Sequence, residues 1–197
     1  MLAEQRQQPS LKEQRLLHRA RAGEAEAFDC LFQEHKDGVY ACLWHLLSGE
    51  ADLVEEAVGS VFLSAYRSLG RFRGNSSFST WLYRIAVNEA HARIRQKRRL
   101  KLLGWLSLHE LRVTEETLPK AEDPAERLLR AEADKMLRQA VRALPEPYRT
   151  PVILRYTSGM AAAEIAEVLK RPAGTVRYQL SRALQILRER LGSEETK

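Results

Sequence analysis

Apolar residues recur three and four positions apart along almost the whole chain, the repeat of a helix with one buried face, and no segment sustains the alternation of a half-buried strand. The pattern predicts an all-α protein. Ser10 and Glu13 form a capping box that opens a short helix with Leu16, Leu17 and Ala20, which stops at Gly23. A second helix carries Phe28, Leu31, Phe32, His35, Val39, Cys42, Leu43 and Leu46 up to the Ser48-Gly49 break. A third carries Val54, Ala57, Val58, Val61, Phe62, Ala65 and Leu69. The polar loop from Arg71 to Ser77 leads into a fourth, with Phe78, Trp81, Leu82, Ile85 and Ala86, which ends in the run RIRQKRR. These four helices predict one small module over residues 11–99, behind a disordered tail over 1–10.

Residues 100–122 have no single period and contain Gly104 and Pro119, so they read as a linker. That linker is apolar, and Leu102, Leu103, Trp105, Leu106, Leu108 and Leu111 need a surface to pack on, either the modules themselves or a partner. A second module is predicted over 123–191. Asp123 is placed as N-cap, Pro124 as first helical residue and Glu126 as capping-box acid, for a helix burying Leu128, Leu129, Met136, Ala140, Val141 and Leu144. After Pro145-Glu146-Pro147 comes a helix through Val152, Ile153, Leu154 and Tyr156, in which Pro151 fits only the first turn. A short helix with Ile165, Ala166 and Leu169, a turn from Lys170 to Gly174, and a last helix with Val176, Leu180, Ala183, Leu184, Leu187 and Leu191 complete it. The polar stretch 192–197 is a frayed tail.

The 197 residues suit two small domains, and 44% apolar with 29% charged residues suit folded cores. No stretch approaches the roughly 20 apolar residues of a membrane span, and the start MLAEQRQQPS lacks the apolar core of a secretory signal, so no membrane insertion and a cytoplasmic location are expected. Cys30 and Cys42 fall on one predicted helix about 18 Å apart, too far to bridge, and read as buried apolar residues.

The net charge of +6 hides a pattern. Residues 24–66 hold nine acids and one base, residues 67–101 ten bases and one acid, residues 115–134 seven acids and three bases, and residues 135–191 eleven bases and four acids. Two basic surfaces on separate modules imply a bipartite contact with nucleic acid, and the acidic helices must face water or another protein. The competing reading is clustering of charge on solvated helices.

The short helix, tight turn and longer basic helix near the C-terminus have the form of a helix-turn-helix. Thr175 is placed to cap the second helix or meet a phosphate there. Arg177, Tyr178, Ser181 and Arg182 share an exposed face, with Gln179 at its edge. A hairpin with a merely solvated basic face is the alternative. In the first module, the loop sets Arg, Gly, Asn and Ser beside Phe72, Phe78 and Trp81, and Arg84, Asn88, His91 and Arg95 follow at one-turn spacing. Aromatic planes with amides and hydroxyls in a positive setting suit unstacked bases. Equally open is a core role for Phe78 and Trp81, leaving only Arg and Lys to touch phosphate. Cys30, His35, Cys42 and His45 do not gather into a metal-ligand set, no cofactor is implied, and no nucleophile with a placed base argues for an enzyme.

These residues resemble the extracytoplasmic-function class of sigma-70-type bacterial initiation factors. Over about 11–99, Phe28 to Tyr40, Val61 to Leu69 and FRGNSSFSTWLYRIAVNEAHARIRQKRR look like that family's region 2. Over 123–191, LPEPYRTPVILRYTSG, EIAEVL and GTVRYQLSRALQILRERL look like its region 4. The resemblance implies a factor that directs core RNA polymerase to promoters without catalysis of its own. Region 2 binds the polymerase clamp, here through Asp52, Glu55, Glu56 and Phe62. The loop residues Arg73, Asn75, Ser76 and Ser77, with Phe78, Trp81, Arg84 and Asn88 behind them, take an unpaired base of the −10 element. Region 4 reads the duplex −35 element through Lys170, Arg171, Thr175, Arg177, Tyr178, Ser181 and Arg182. Core polymerase and promoter DNA are thus the implied partners, and an anti-sigma factor is a further candidate. Two departures stand out. Glu56-Ala57-Val58-Gly59-Ser60 replaces the usual Asp-Leu-x-Gln-Glu at the clamp contact, and Ala161-Ala162 replaces Ser-Tyr before EIA, removing an N-cap. The alternative reading is a dimeric helix-turn-helix regulator that works without polymerase.

Overall fold

A computed structural model of the chain describes residues 10–102 and 124–194, all of it helix and connecting turn. In chain order the helices are α1 (Leu11–Arg21), α2 (Ala25–Leu46), α3 (Ala51–Ser68), α4 (Phe78–Leu102), α5 (Pro124–Arg142), α6 (Glu146–Thr157), α7 (Ala162–Leu169) and α8 (Ala173–Glu194). A single 3₁₀ turn, Leu69–Arg71, follows α3. The Ser10 hydroxyl accepts the Glu13 amide at 3.0 Å and caps α1. The expected N-cap Asp123, most of the linker and the tails 1–9 and 195–197 lie outside the described residues, as do the side chains of Leu128 and Leu129.

α1 to α4 pack on one another through the apolar stripes read from the sequence, with Leu31, Val39, Leu43, Val54, Val61, Phe78 and Leu82 at 1% exposure or less. α5 to α8 form the second unit, and Ala140, Leu144, Val152, Ala183 and Leu187 make a small core between α5, α6 and α8. The two units are not separate. The apolar face of α6 and α7, including Leu154, Met160, Ile165 and Val168, is continuous with the core of the first unit, because α6 packs on α2 and α7 on α4.

Several boundaries differ from expectation. α4 runs through Leu102, so the linker begins later than residue 100, and α8 runs through Gly192 to Glu194, past the expected end at Leu191. Pro151 is the sixth residue of α6 and lies inside the helix. It removes one backbone hydrogen bond there, and its burial with Thr150, Val152, Ile153 and Leu154 compensates. Met136 and Tyr156 are exposed, at 37% and 64%, because the partners of their helices lie on other faces. Of the two cysteines Cys42 is buried, with its thiol pushed up to about 12 by burial, but Cys30 is exposed. Gly192 lies within α8, while Gly49 (φ +73) and Gly159 (φ +64) take turn conformations that favour glycine.

Gly38, in the middle of α2, has a packing reason. A Cβ there would come within 2.4 Å of the Tyr83 hydroxyl, which reaches across from α4. That hydroxyl is largely buried, which raises its pKa, and it interacts with Ser158 of the second unit. Helix propensity alone would favour Gly38→Ala by about 1 kcal/mol. The expected result is instead a net loss of stability in urea denaturation, because Tyr83 must move, and the loss should shrink in a Tyr83→Phe background, which removes the clashing oxygen.

Candidate nucleic-acid and polymerase surfaces

The helix-turn-helix is formed by α7 and α8. Lys170 closes α7 in the left-handed conformation (φ 53) and donates its amide to the Ala166 carbonyl, which also accepts from Arg171 at 3.0 Å. The missing N-cap at Ala161 is partly replaced, since the Glu164 carboxylate accepts the Ala161 amide at 2.8 Å, the reciprocal half of a capping box. Val176, Gln179, Ala183 and Leu187 of α8 point inward, and the opposite face carries Arg177, Tyr178, Ser181 and Arg182, all exposed, beside exposed Lys170, Arg171 and Thr175. Two details depart from the sequence reading. α8 starts at Ala173, so Thr175 lies inside the first turn and is not its cap. Gln179 is 8% exposed, with its side-chain carbonyl oxygen buried and unpartnered, so it does not edge the reading face.

At the other surface, the chain from Phe72 to Ser77 crosses between the 3₁₀ turn and α4. Arg73 and Asn75 are exposed and Ser76 half-buried. The Ser77 hydroxyl accepts the Thr80 amide at 3.1 Å and lies 2.9 Å from Ser79 Oγ and 2.7 Å from Thr80 Oγ1. Ser77 is thus the cap of α4 and has little capacity left for a ligand. Phe78 is 1% exposed, ringed by Phe72, Trp81 and His35 at centroid distances of 6.0, 5.6 and 5.2 Å. Of the two roles left open for it, the core role is the one the packing gives; Trp81 remains half-buried at the rim. The aromatic cluster is the floor on which the loop stands.

Arg84, Asn88, His91, Arg95 and Arg98 follow one another along a single stripe of α4. Asn88, Arg95 and Arg98 are exposed, and His91 and Arg98 reach the second unit. His91 Nε2 lies 3.4 Å from Thr150 Oγ1, Arg98 pairs with Glu146 at 3.6 Å, and Arg84 Nε is buried without a partner. His91 is held below the ordinary imidazole range, mainly by burial, with Arg95, Arg171 and Arg149 acting in the same direction and Glu146 against it.

On α3, Asp52, Glu55 and Glu56 are exposed as expected. Phe62 is not. Its ring is 4% exposed and packs edge-on against Phe32 at 4.1 Å, so it belongs to the core and offers a partner no surface. The exposed apolar residues of the same helix are Leu63 (48%) and Tyr66 (46%), which continue the stripe of Asp52, Glu56 and Gly59 at helical spacing. Their signal was present in the sequence: both fall off the stripe of Val54, Ala57, Val58, Val61, Phe62 and Ala65 that the core uses. Arg93 of α4 donates to Glu89 at 2.8 Å, Glu56 at 3.0 Å and Ser60 at 3.1 Å, and Lys97 pairs with Glu50. Part of the acidic helix is therefore neutralised by the basic one, and does not wait for an outside partner. Among the described residues no His, Cys, Asp and Glu group could hold a metal ion, and no helix is long and apolar enough to cross a membrane.

A helix-turn-helix with an exposed basic reading face, tied to a second helical unit with a polar loop and a basic stripe, defines a two-unit DNA-binding protein. The sequence comparisons specify which kind. Residues 31–100 match the model of Sigma-70 region 2, and residues 134–187 that of Sigma-70 region 4. The RNA polymerase sigma-H factor of Pseudomonas aeruginosa is 32% identical, over 89% of this chain and 92% of that one. The ECF RNA polymerase sigma-E factor of Escherichia coli is 33% identical over 90% and 93%, and SigW of Bacillus subtilis 30% identical over 89% and 94%. The chain belongs to the sigma-70 family of RNA polymerase initiation factors, in its extracytoplasmic-function class. In fold it is similar to CnrH, solved in complex with the cytosolic domain of CnrY (TM-score 0.66, 22% identity, 92% of this chain and 98% of that one). It is also similar in fold to RpoE of Bartonella quintana, solved with the anti-sigma factor NepR (TM-score 0.63, 21% identity, 82% and 96%).

The half-buried His91 at the contact between units, its pKa lowered mainly by burial, sets a pH dependence. When the units separate, His91 returns toward about 6.5, so the separated form binds more protons between its lowered value and that point. Docking is then at full strength above about pH 6.5 and weakens as pH falls through the interval. Small-angle scattering should show a larger radius of gyration on acidification. His91→Gln should retain only the part due to His35, which burial also lowers and which lines the same contact.

Proposed function

We propose a division of labour within this sigma factor. Its second unit, about residues 123–191, reads duplex −35 DNA through Arg177, Tyr178, Ser181 and Arg182, with Lys170, Arg171 and Thr175 holding phosphate. Its first unit, about residues 11–99, captures the unpaired −10 strand with Arg73, Asn75 and Ser76 above the aromatic floor and with Arg84 and Asn88 along α4. The acidic and apolar stripe of α3, Asp52, Glu55, Glu56, Leu63 and Tyr66, docks on core polymerase. The protein acts by binding, without chemistry of its own, in the cytoplasm where polymerase and DNA meet. An anti-sigma factor is an expected partner, as NepR is for the Bartonella protein.

The observation that supports this reading is that exposed basic and polar side chains fall at two places suited to different DNA forms. One is the outer face of a recognition helix, which fits a major groove. The other is a loop on an aromatic floor, which fits unstacked bases. A dimeric regulator would bind a palindromic duplex alone, whereas this protein should support transcription only with core polymerase. In vitro transcription with purified core on a promoter library is the test, and tight unaided duplex binding with no transcript would overturn the reading.

Substitutions separate the two surfaces. Arg177→Ala or Arg182→Ala should weaken −35 duplex binding by about 1–3 kcal/mol, as for loss of a bidentate base contact. Asn75→Ala or Ser76→Ala should leave duplex affinity unchanged and lower open-complex formation, read by permanganate footprinting. Equal effects of both sets on duplex binding would contradict the division.

A further inference from the structure

α1 lies along the polar loop that precedes α4 and meets it at both ends. At one end Ser10 and Glu13 line a single cavity with Ser77 and Ser79, where the loop enters α4. At the other end α1 packs on the 3₁₀ turn Leu69–Arg71, and the guanidinium carbon of Arg21 lies over the Phe72 ring, 5.3 Å from its centre. The 11 residues of α1 give it a length of about 16 Å, so this one helix flanks the loop from Phe72 to Ser77.

Arg21 is set apart from its neighbours on α1. Arg19 in the same turn is tied to Glu24 at 2.7 Å, whereas Arg21 is exposed and rests on an aromatic face. Such a face orients a guanidinium without neutralising it. Phe72 is extended (φ −69, ψ 109), so its ring turns in, 5.2 Å from Trp81, while the adjacent Arg71 and Arg73 turn outward and are exposed. Among the described residues no acid forms an ion pair with Arg21, Arg71 or Arg73. Positive charge available to a ligand is therefore gathered at the Phe72 end of the loop, and Glu13 stands at the other end.

We propose that Arg21 of α1 belongs to the −10 site and holds a backbone phosphate of the captured strand at the Phe72 end of the loop. The unpaired base lies on the loop above the aromatic floor, and the guanidinium at the edge of that floor meets the phosphate of the adjoining nucleotide. A guanidinium suits this position because its planar fork presents two parallel N–H donors to one phosphate. Its charge carries most of the contact, and its cover over Phe72 only aims it. The inference rests on the assignment of the loop to the unpaired −10 strand.

The test uses holoenzyme reconstituted from the full chain and core polymerase, with a fluorescein-labelled single strand carrying the −10 sequence selected by the transcription assay. Arg21→Met keeps an unbranched side chain over Phe72 and removes the charge, whereas Arg21→Lys keeps the charge; thermal melts monitored by circular dichroism confirm that both fold. Fluorescence anisotropy over a salt series should show Arg21→Met binding the strand about fivefold more weakly at about 0.1 M salt. Its plot of log K against log[salt] should be shallower by about 0.7, the loss of one phosphate contact on a single strand. Arg21→Lys should keep the slope of the unaltered protein and most of its affinity. Unaltered affinity and slope in Arg21→Met overturn the proposal and leave Arg21 as a cover for Phe72. Arg21→Lys binding as weakly as Arg21→Met overturns it too. Failure of the functional reading looks different: Asn75→Ala and Ser76→Ala then also leave strand affinity unchanged, whereas failure of this inference alone leaves those two substitutions effective.

Discussion

α4 packs on α2 and α3 through one set of neighbours and on α7 through another, and its Leu82, Ala86, Val87 and Ala90 are buried to 2% exposure or less. The rest of the structure depends on this helix being covered from both sides. Its N-terminal end, capped by Ser77, fixes where the polar loop stands. Its stripe of bases fixes what the second unit rests against, and its outer end reaches back to α3 through Arg93 and Lys97. A single helix thus sets the position of the polar loop, the contact between units and part of the charge balance on α3.

The alternating charge of the chain acquires two meanings from this arrangement. Arg93 and Lys97 pair with Glu56 and Glu50, so the acidic and basic segments that follow one another in the first unit partly neutralise each other. Such exposed pairs contribute little stability each, typically under about 1 kcal/mol, but they orient side chains. Arg93, with its side chain only 16% exposed, holds Glu56 and Ser60 in place on α3. Arg177 and Arg182 on the exposed face of α8 and Arg73 in the loop before α4 lie outside these pairs.

Much of the fold was legible because helix periodicity and caps are local properties. The buried sets of α1, α2, α3 and α8, the turn at Lys170 and the outward face with Arg177 and Arg182 all follow from spacing alone. What misled was position within an element. Phe62 and Leu63 are adjacent and similar in hydrophobicity, and only the direction of the Phe32 ring decides that the first is core and the second surface. Gln179 is polar and lies next to the reading face, yet the second unit folds it inward. Ser77 carries the same hydroxyl as Ser76, but it is the residue immediately before the first turn of α4.

The sequence by itself determined the helices, the two-unit layout and the family, since each is encoded by apolar period, capping residues and motif strings that do not depend on distant contacts. It also determined that two basic surfaces exist. The tertiary structure decided which way those surfaces face. Sequence spacing aligns Arg84, His91 and Arg98 on α4 without saying what lies opposite, because that depends on packing between residues some sixty positions apart, such as His91 and Thr150. Only when the apolar face of α6 and α7 is buried against the first unit do His91 and Arg98 of that stripe meet Thr150 and Glu146.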